Sequence, residues 1–165
     1  MAVEWMPFEL RPYPQPTLRP EGDYLRRAWA QSVYPLAARM GVEIKLPPVS
    51  PQPHTRLAWE GYQFARERGT GAEYNRRVLR AFFVEGLDIG RSEVLARLAG
   101  EVGLDRAAFR EALEAGRYAE VHRRALRHAH EEAGVTAVPA FAIGGRMLVG
   151  LQPREVLEEA IRAVG

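Results

Sequence analysis

The feature that most constrains this chain is a row of five helical patterns, each of which ends in a glycine. The patterns occupy residues 54 to 134 and end at Gly69, Gly86, Gly103, Gly116 and Gly134. Glycine closes a helix well because it adopts the left-handed backbone conformation without a steric penalty. The sequence therefore predicts a block of five short helices, with Asp105 as the N-cap of the fourth.

Two further patterns precede this block. The segment Val3–Leu10 alternates between apolar and polar residues as a strand does, and Pro7 marks its end or an edge position. After a turn-rich stretch, the spacing predicts a helix over Asp23–Met40 that is closed by Gly41. Pro35 is expected to kink or divide this helix, since proline removes one of its hydrogen bonds.

After the helical block the hydrophobic period changes from that of a helix to that of a strand. The runs "AFAI" and "RMLVG" flank Gly144–Gly145, which predicts a hairpin with a two-residue turn. Pro153 then occupies the first position of an amphipathic helix that continues to the end of the chain. Strands at both ends and helices between them indicate a mixed α/β fold whose sheet is assembled from distant segments.

Composition excludes several classes of function. None of the 165 residues is cysteine, so the chain supplies no disulfide, thiolate nucleophile or thiolate metal site. No apolar stretch is long enough for a membrane helix and no signal peptide is evident, so we expect a cytoplasmic protein without membrane association. Arginines and acids alternate without a basic block, which argues against nucleic-acid binding. Lys45 is the only lysine, and the preference for arginine is typical of a thermophilic source.

The histidines do not have the spacing of a metal site. His128 and His130 are two residues apart and point to different sides of a helix, and His122 is not three or four residues from either. His128 is instead placed to pair with Glu132 one turn later. We therefore expect no bound metal and no cofactor.

The bond between Val138 and Pro139 lies at the start of the predicted hairpin. Proline cannot donate to a sheet ladder, so it marks either a simple strand start with a trans bond or a sharp turn with a cis bond. In the second case the N–H and C=O of the preceding residue face outward and can pair with an extended peptide or a glutathione backbone. The spacing alone leaves both interpretations open.

Three segments together resemble the DsbA family of thioredoxin-fold proteins, most closely its FrnE-like branch, whose relatives include 2-hydroxychromene-2-carboxylate isomerase-like proteins. They are "VEWMPFELRP", the helical run from "HTRLAWEGYQFARERG" to "LARLAGEVGLD", and "GVTAVPAFAIGGRMLVGLQPREVLEEAI". The resemblance implies an α/β, thioredoxin-like sheet of the DsbA and kappa-transferase type with a large all-helical insertion. It also implies one domain over 1–165, with an N-terminal strand segment at 1–12, the insertion at 20–133 and a cis-proline loop, hairpin and last helix at 134–165.

The same resemblance supplies the candidate site. Substrate would be held at Ala137, Val138 and Pro139, with Gln152 beside them, and the Val138–Pro139 bond would be cis. The family's first strand, its Cys-x-x-Cys motif and the helix after it have no counterpart in the sequence, so no catalytic residue is assigned. We expect the empty position in the sheet to be filled by the opening strand, which would shift to pair with the hairpin, or by a second copy in a homodimer.

Three functions are compatible with the sequence. The first is a thiol–disulfide oxidoreductase homologue that is redox-inactive as given, because exchange needs a thiolate. The second is a glutathione-dependent isomerase or transferase of the 2-hydroxychromene-2-carboxylate isomerase or kappa-class type, although Gln152–Pro153 stands where those enzymes place an acid. The third is a non-catalytic module that binds extended peptides.

Overall fold

A computed structural model describes residues 3–165 and shows a mostly helical chain with a small two-stranded sheet. It divides into two compact units, an N-terminal unit that ends at Arg123 and a C-terminal unit, Arg124–Gly165. The elements in chain order are α1 (Asp23–Ala28), a π-helical turn (Trp29–Val33), α2 (Tyr34–Met40), α3 (Arg56–Arg66), α4 (Gly71–Phe83), α5 (Ser92–Glu101), α6 (Arg106–Glu114), α7 (Ala119–Arg127), a second π-helical turn (His128–Glu132), β1 (Ala140–Ile143), β2 (Arg146–Val149) and α8 (Arg154–Arg162).

The helical predictions are confirmed, with ends a few residues before the glycines. Each predicted stop glycine has a positive φ, between 60° and 85° for the five glycines of the block, as a left-handed cap requires. Asp105 caps α6, since its Oδ1 accepts a hydrogen bond of 2.8 Å from the backbone N–H of Ala108. Pro35 lies in the first turn of α2, directly after the π-helical turn that divides the predicted 23–40 helix, and Gly41 closes it with a φ of 65°.

The core of the N-terminal unit is formed where α3, α4, α5 and α6 pack together. Its centre is the ring of Phe109, whose centroid lies 5.1 Å from that of Phe64 and 5.5 Å from that of Tyr74. All three side chains are almost completely buried. Gly61 of α3 permits this packing, because a Cβ there would collide with the Tyr74 hydroxyl and come within 2.5 Å of the Phe109 ring.

We predict that Gly61→Ala lowers the free energy of unfolding by about 2 kcal/mol. The added methyl group overpacks the core, at a cost of roughly 3 kcal/mol, and the better helix propensity of alanine offsets about 1 kcal/mol of it. Urea denaturation followed by circular dichroism measures the change. Gly100→Ala in α5 is the matched control, since its Cβ meets only the exposed side chain of Arg106, which is free to move. Equal effects of the two variants would contradict this packing.

The predicted strand at Val3–Leu10 is wrong: no residue of this described segment is in a strand. The segment is instead bonded to helices through side chains, and only its residues Pro7 and Glu9 are buried. Pro7 is fully buried, and Glu9 is 4% exposed and bonded to the side chain of His122. The proline also removes a donor that a sheet ladder would need. Met1 and Ala2 of the predicted 1–12 segment lie outside the described residues.

The C-terminal unit contains the hairpin and α8. The sheet of the described chain consists of β1 and β2, so the expected shift of an opening strand onto the hairpin does not occur. Pro153 is the N-cap of α8 rather than its first helical residue, a difference of one position. The predicted pair forms, with 2.7 Å between His128 Nδ1 and Glu132 Oε2. The homodimer and the division into 1–12, 20–133 and 134–165 stay predictions.

Residues 3–165 lack two structural features. No helix in this range is both long and apolar enough to cross a membrane. No three of its histidine, aspartate and glutamate side chains are arranged to hold a metal ion.

Candidate functional site

The hairpin of the C-terminal unit carries the candidate site. β1 and β2 are antiparallel, with Ala140 opposite Val149 and Ile143 opposite Arg146. The turn is made by Gly144–Gly145, whose φ values are 56° and 79°. Two successive positive φ angles match the twist of a right-handed hairpin and favour glycine at both positions. The sequence therefore sets the register that brings the start of β1 beside the end of β2.

Ala137, Val138 and Pro139 lie directly before β1, and all three are exposed. The peptide bond between Val138 and Pro139 is cis. The hairpin's pairing extends one step past the strands, because the N–H of Gly150 donates to the C=O of Pro139 at 2.7 Å. This bond fixes the position of the loop against the end of β2.

Val138, like Ala137 before it, has backbone groups that no hydrogen bond within the C-terminal unit occupies. Within the C-terminal unit neither its N–H nor its C=O has a hydrogen-bond partner, and its side chain is 43% exposed. Pro139, by contrast, has no N–H and has a C=O that is already bonded. A free donor and acceptor on one residue are what an added strand would use.

The two faces of the hairpin differ. Phe141 and Leu148, which pair across the strands, are half-buried. Ala142 and Met147, the next pair, are exposed, as is Val149 on the same side of β2. Because side chains alternate along a strand, one face of the hairpin is apolar and open, and we call it the open face.

Gln152 follows β2, and its amide is used locally; its place in a substrate site stays a prediction. Its Nε2 donates to the C=O of Val149 at 2.8 Å and to that of Gly150 at 3.4 Å. These bonds hold the turn that leads from β2 to α8. The amide group thus supports the backbone opposite Pro139.

The N-terminal unit holds a second arrangement, a buried polar cluster made by Glu9, Glu60 and His122. The Nε2 of His122 and the Oε1 of Glu9 are 2.6 Å apart, and these residues are 1% and 4% exposed. A bond this short is typical of a charge-assisted pair. Glu60 of α3 is 1% exposed and belongs to the same electrostatic environment.

Burial raises the pKa of the Glu60 carboxyl above its ordinary value. The negative charge of Glu9 acts in the same direction, while Arg56, His122 and Arg123 oppose it. Arg56 comes closest, with its Nε 3.6 Å from Glu60 Oε1, but its side chain is 56% exposed and therefore partly screened by water. The net effect of these groups is a Glu60 pKa above the ordinary carboxyl value.

The sequence did not reveal this cluster. The spacing of His122 in the sequence bears only on a metal site, and Glu9 lies in the segment whose pattern predicts a strand. The two are 113 positions apart, and no short motif joins them. The available signal in the sequence was the position of Glu60 among large apolar residues of α3, which include Trp59 and Tyr62.

Comparisons with known proteins identify a family and several relatives. A family model described as a DSBA-like thioredoxin domain matches residues 1–162. The uncharacterized protein YwbO of Bacillus subtilis (strain 168) is 52% identical over 162 residues, which cover 98% of this chain and 81% of YwbO.

Solved structures give the same relationship. A probable DsbA oxidoreductase from Streptomyces coelicolor aligns with a TM-score of 0.72 and 26% identity over 85% of this chain. This chain spans 61% of the Streptomyces protein's length. A 2-hydroxychromene-2-carboxylate isomerase aligns with a TM-score of 0.70 over 86% of this chain and 66% of its own. Its 23% identity supports a common fold alone.

Proposed function

Because the chain belongs to the DSBA-like thioredoxin-domain family, we propose that its hairpin binds an extended peptide through the backbone of Val138. The observation that carries the proposal is the unpaired N–H and C=O of Val138 at the start of β1. A bound peptide accepts a hydrogen bond from this N–H and donates one to this C=O, as a neighbouring strand does. The hairpin, fixed by the bond between Gly150 and Pro139, holds both groups in place.

The open face supports a preference for apolar peptides. Met147 and Val149 are 39% and 44% exposed, and Leu151, just beyond β2, is 50% exposed. A peptide with apolar residues at every second position presents them all on one side. Binding would remove this apolar surface from water, at about 25 cal/mol per Å² of area buried.

Peptide binding is the activity that these 165 residues can supply without a thiol. Thiol–disulfide exchange proceeds through attack of a thiolate on a sulfur atom, and none of the residues is cysteine. The Streptomyces relative is described as a probable DsbA oxidoreductase and is longer than this chain. An oxidoreductase that includes this chain would need its thiol from outside these residues.

Binding is tested with a short capped peptide in which valine alternates with threonine. Isothermal titration measures its affinity and that of analogues with a single N-methyl amide, one position at a time. We expect N-methylation to weaken binding about tenfold at the one position whose N–H donates to the C=O of Val138, because one hydrogen bond of a strand pair is worth up to about 1.5 kcal/mol. N-methylation at positions whose N–H faces away from the hairpin should be tolerated. A uniform loss, or no binding, would contradict strand pairing.

The open face is tested with Val149→Ser, which should weaken binding of the alternating peptide about fivefold by removing apolar contact area. Val42→Ser is the matched control, since Val42 is 51% exposed and belongs to the N-terminal unit. If the two variants bind the peptide with equal affinity, the open face does not contribute to binding. Glutathione is included as a competitor, and its displacement of the peptide would favour the glutathione-dependent alternative over a peptide module.

A further inference from the structure

The backbone of the hairpin offers hydrogen-bonding groups at more than one residue. In an antiparallel pair, residues that bond to the opposite strand alternate with residues whose N–H and C=O point away from it. The bond from the Gly150 N–H to the Pro139 C=O marks Pro139 as a residue whose backbone faces β2. The outward-pointing residues of this strand are therefore Val138, Ala140 and Ala142, and we call them the β1 edge. By the register, their counterparts on the far side of β2 are Met147 and Val149.

The β1 edge is open within the C-terminal unit. The sheet of the described chain has two strands, so no third strand pairs with this edge. Val138 and Ala142 are exposed and Ala140 is partly exposed. Unpaired edges are usually protected by charged side chains or by proline. Residues 135–143 include no charged residue, and Pro139 faces β2, so neither form of protection is present at the outward positions.

The opposite edge of the hairpin, on β2, is closed by Gln152. Its Nε2 donates at 2.8 Å to the C=O of Val149, which points away from β1. The acceptor that a strand added to β2 would use is thus already bonded. The same Nε2 lies 3.4 Å from the C=O of Gly150, whose position opposite Pro139 offers it no N–H. Strand addition is therefore directed to the β1 edge.

The side chains of the β1 edge are small. Ala140 and Ala142 lie on the open face, opposite Val149 and Met147. Their methyl groups leave a shallow apolar surface, which a large side chain of an added strand covers best because it reaches past the alanine towards β2. A second copy of this chain, pairing through its own β1 edge, would bring only valine and alanine to this surface. The surface therefore favours a peptide with large apolar residues over a second copy.

We propose that the β1 edge takes an extended peptide of at least five residues as the third strand of the sheet, with large apolar side chains beside Ala140 and Ala142. The inference rests on the proposed peptide binding at Val138 and extends it from one residue to three. From Val138 to Ala142 the edge spans four steps of about 3.3 Å, so five peptide residues cover it. Each edge residue donates one hydrogen bond to the peptide and accepts one from it.

Amide hydrogen exchange of the full chain tests which edge is used. The probe is a capped peptide of seven residues in which phenylalanine alternates with threonine. At saturation we expect exchange of the N–H groups of the β1 edge to slow by at least about tenfold, while those of Met147 and Val149 do not change. Protection at Met147 and Val149 instead would overturn the inference. Protection of Val138 alone would also overturn it but would leave the proposed function intact, whereas an absence of binding would contradict the proposed function itself.

Single N-methyl analogues of this peptide test the number of hydrogen bonds. Isothermal titration should show a loss of about tenfold at three positions, each two residues from the next, because three peptide N–H groups face the β1 edge. One sensitive position would restrict the contact to Val138 and overturn the third strand. Replacing the phenylalanines with alanine should weaken binding at least about tenfold, since less apolar area is buried. Equal affinity of the two peptides would overturn the preference for large side chains.

Ala142→Pro tests the far end of the edge. Proline removes the outward N–H of residue 142 and leaves the bonds between β1 and β2, since they involve other residues. We expect the phenylalanine–threonine peptide to bind about tenfold more weakly, whereas the control Ala142→Ser, which keeps the N–H, should bind within about twofold of the unchanged protein. Equal affinities of the two variants would overturn the inference. Sedimentation velocity tests the other occupant: a dimer that excludes the peptide would assign the β1 edge to a second copy and overturn it as well.

Discussion

Replacing His122 with alanine is expected to lower the free energy of unfolding by about 3–5 kcal/mol, since it leaves a buried carboxylate without its partner. In the folded protein the imidazole is 1% exposed and lies 2.6 Å from Glu9 Oε1. Truncation leaves the Glu9 carboxylate uncompensated and opens a cavity beside it. Urea denaturation at constant pH, followed by circular dichroism, measures the loss.

Two controls separate burial from the loss of any histidine–glutamate pair. His128→Ala removes a pair of similar length, 2.7 Å to Glu132, but both side chains are exposed, so the expected loss is below about 1 kcal/mol. The double variant Glu9→Leu/His122→Leu replaces both buried partners with apolar groups and should be less destabilising than His122→Ala alone. A double variant that is as unstable as the single one would show that the pair is not the origin of the loss.

Phe109→Ala is expected to lower the free energy of unfolding by about 3–5 kcal/mol, the usual range for removing a buried phenylalanine ring. The ring is fully buried at the centre of the core between α3, α4 and α6, and it contacts the rings of Phe64 and Tyr74. Those aromatic neighbours are rigid and fill the vacated space poorly. The loss therefore includes both the transfer of the ring and the cavity that remains.

Leu79→Ala in α4 is the control for Phe109→Ala. Leu79 is 43% exposed, and a substitution there should change the free energy of unfolding by about 0.5 kcal/mol or less. Combining Phe109→Ala with Gly61→Ala gives a further test, because the alanine at 61 loses one of the two groups that it would strike. The combined loss should be smaller than the sum of the single losses. Additive losses would place the two residues in separate parts of the core.

Local chemistry determined much of the fold. Several of its features depend only on residues a few positions apart, and the structure contains each of them. They are the glycine caps at the helix ends, the Asp105 N-cap and the Gly144–Gly145 turn. The pair between His128 and Glu132 is of the same kind, since one turn of helix fixes its geometry. The position of the loop at Val138 directly before a strand could also be predicted from the sequence, because the loop and β1 are adjacent in the chain.

Only the tertiary structure decided what the opening segment does. Alternation in Val3–Leu10 is compatible with a strand and with a segment lying on helices, and Pro7 is compatible both with an edge strand and with a segment outside any sheet. The choice depends on whether Glu9 meets a sheet or the imidazole of His122, which is 113 positions away. Burial of Glu60 is likewise a product of how α3 packs with its neighbouring helices. Hydrogen bonds between neighbours in the chain follow from spacing, whereas the dielectric around a carboxylate exists only once the helices have assembled.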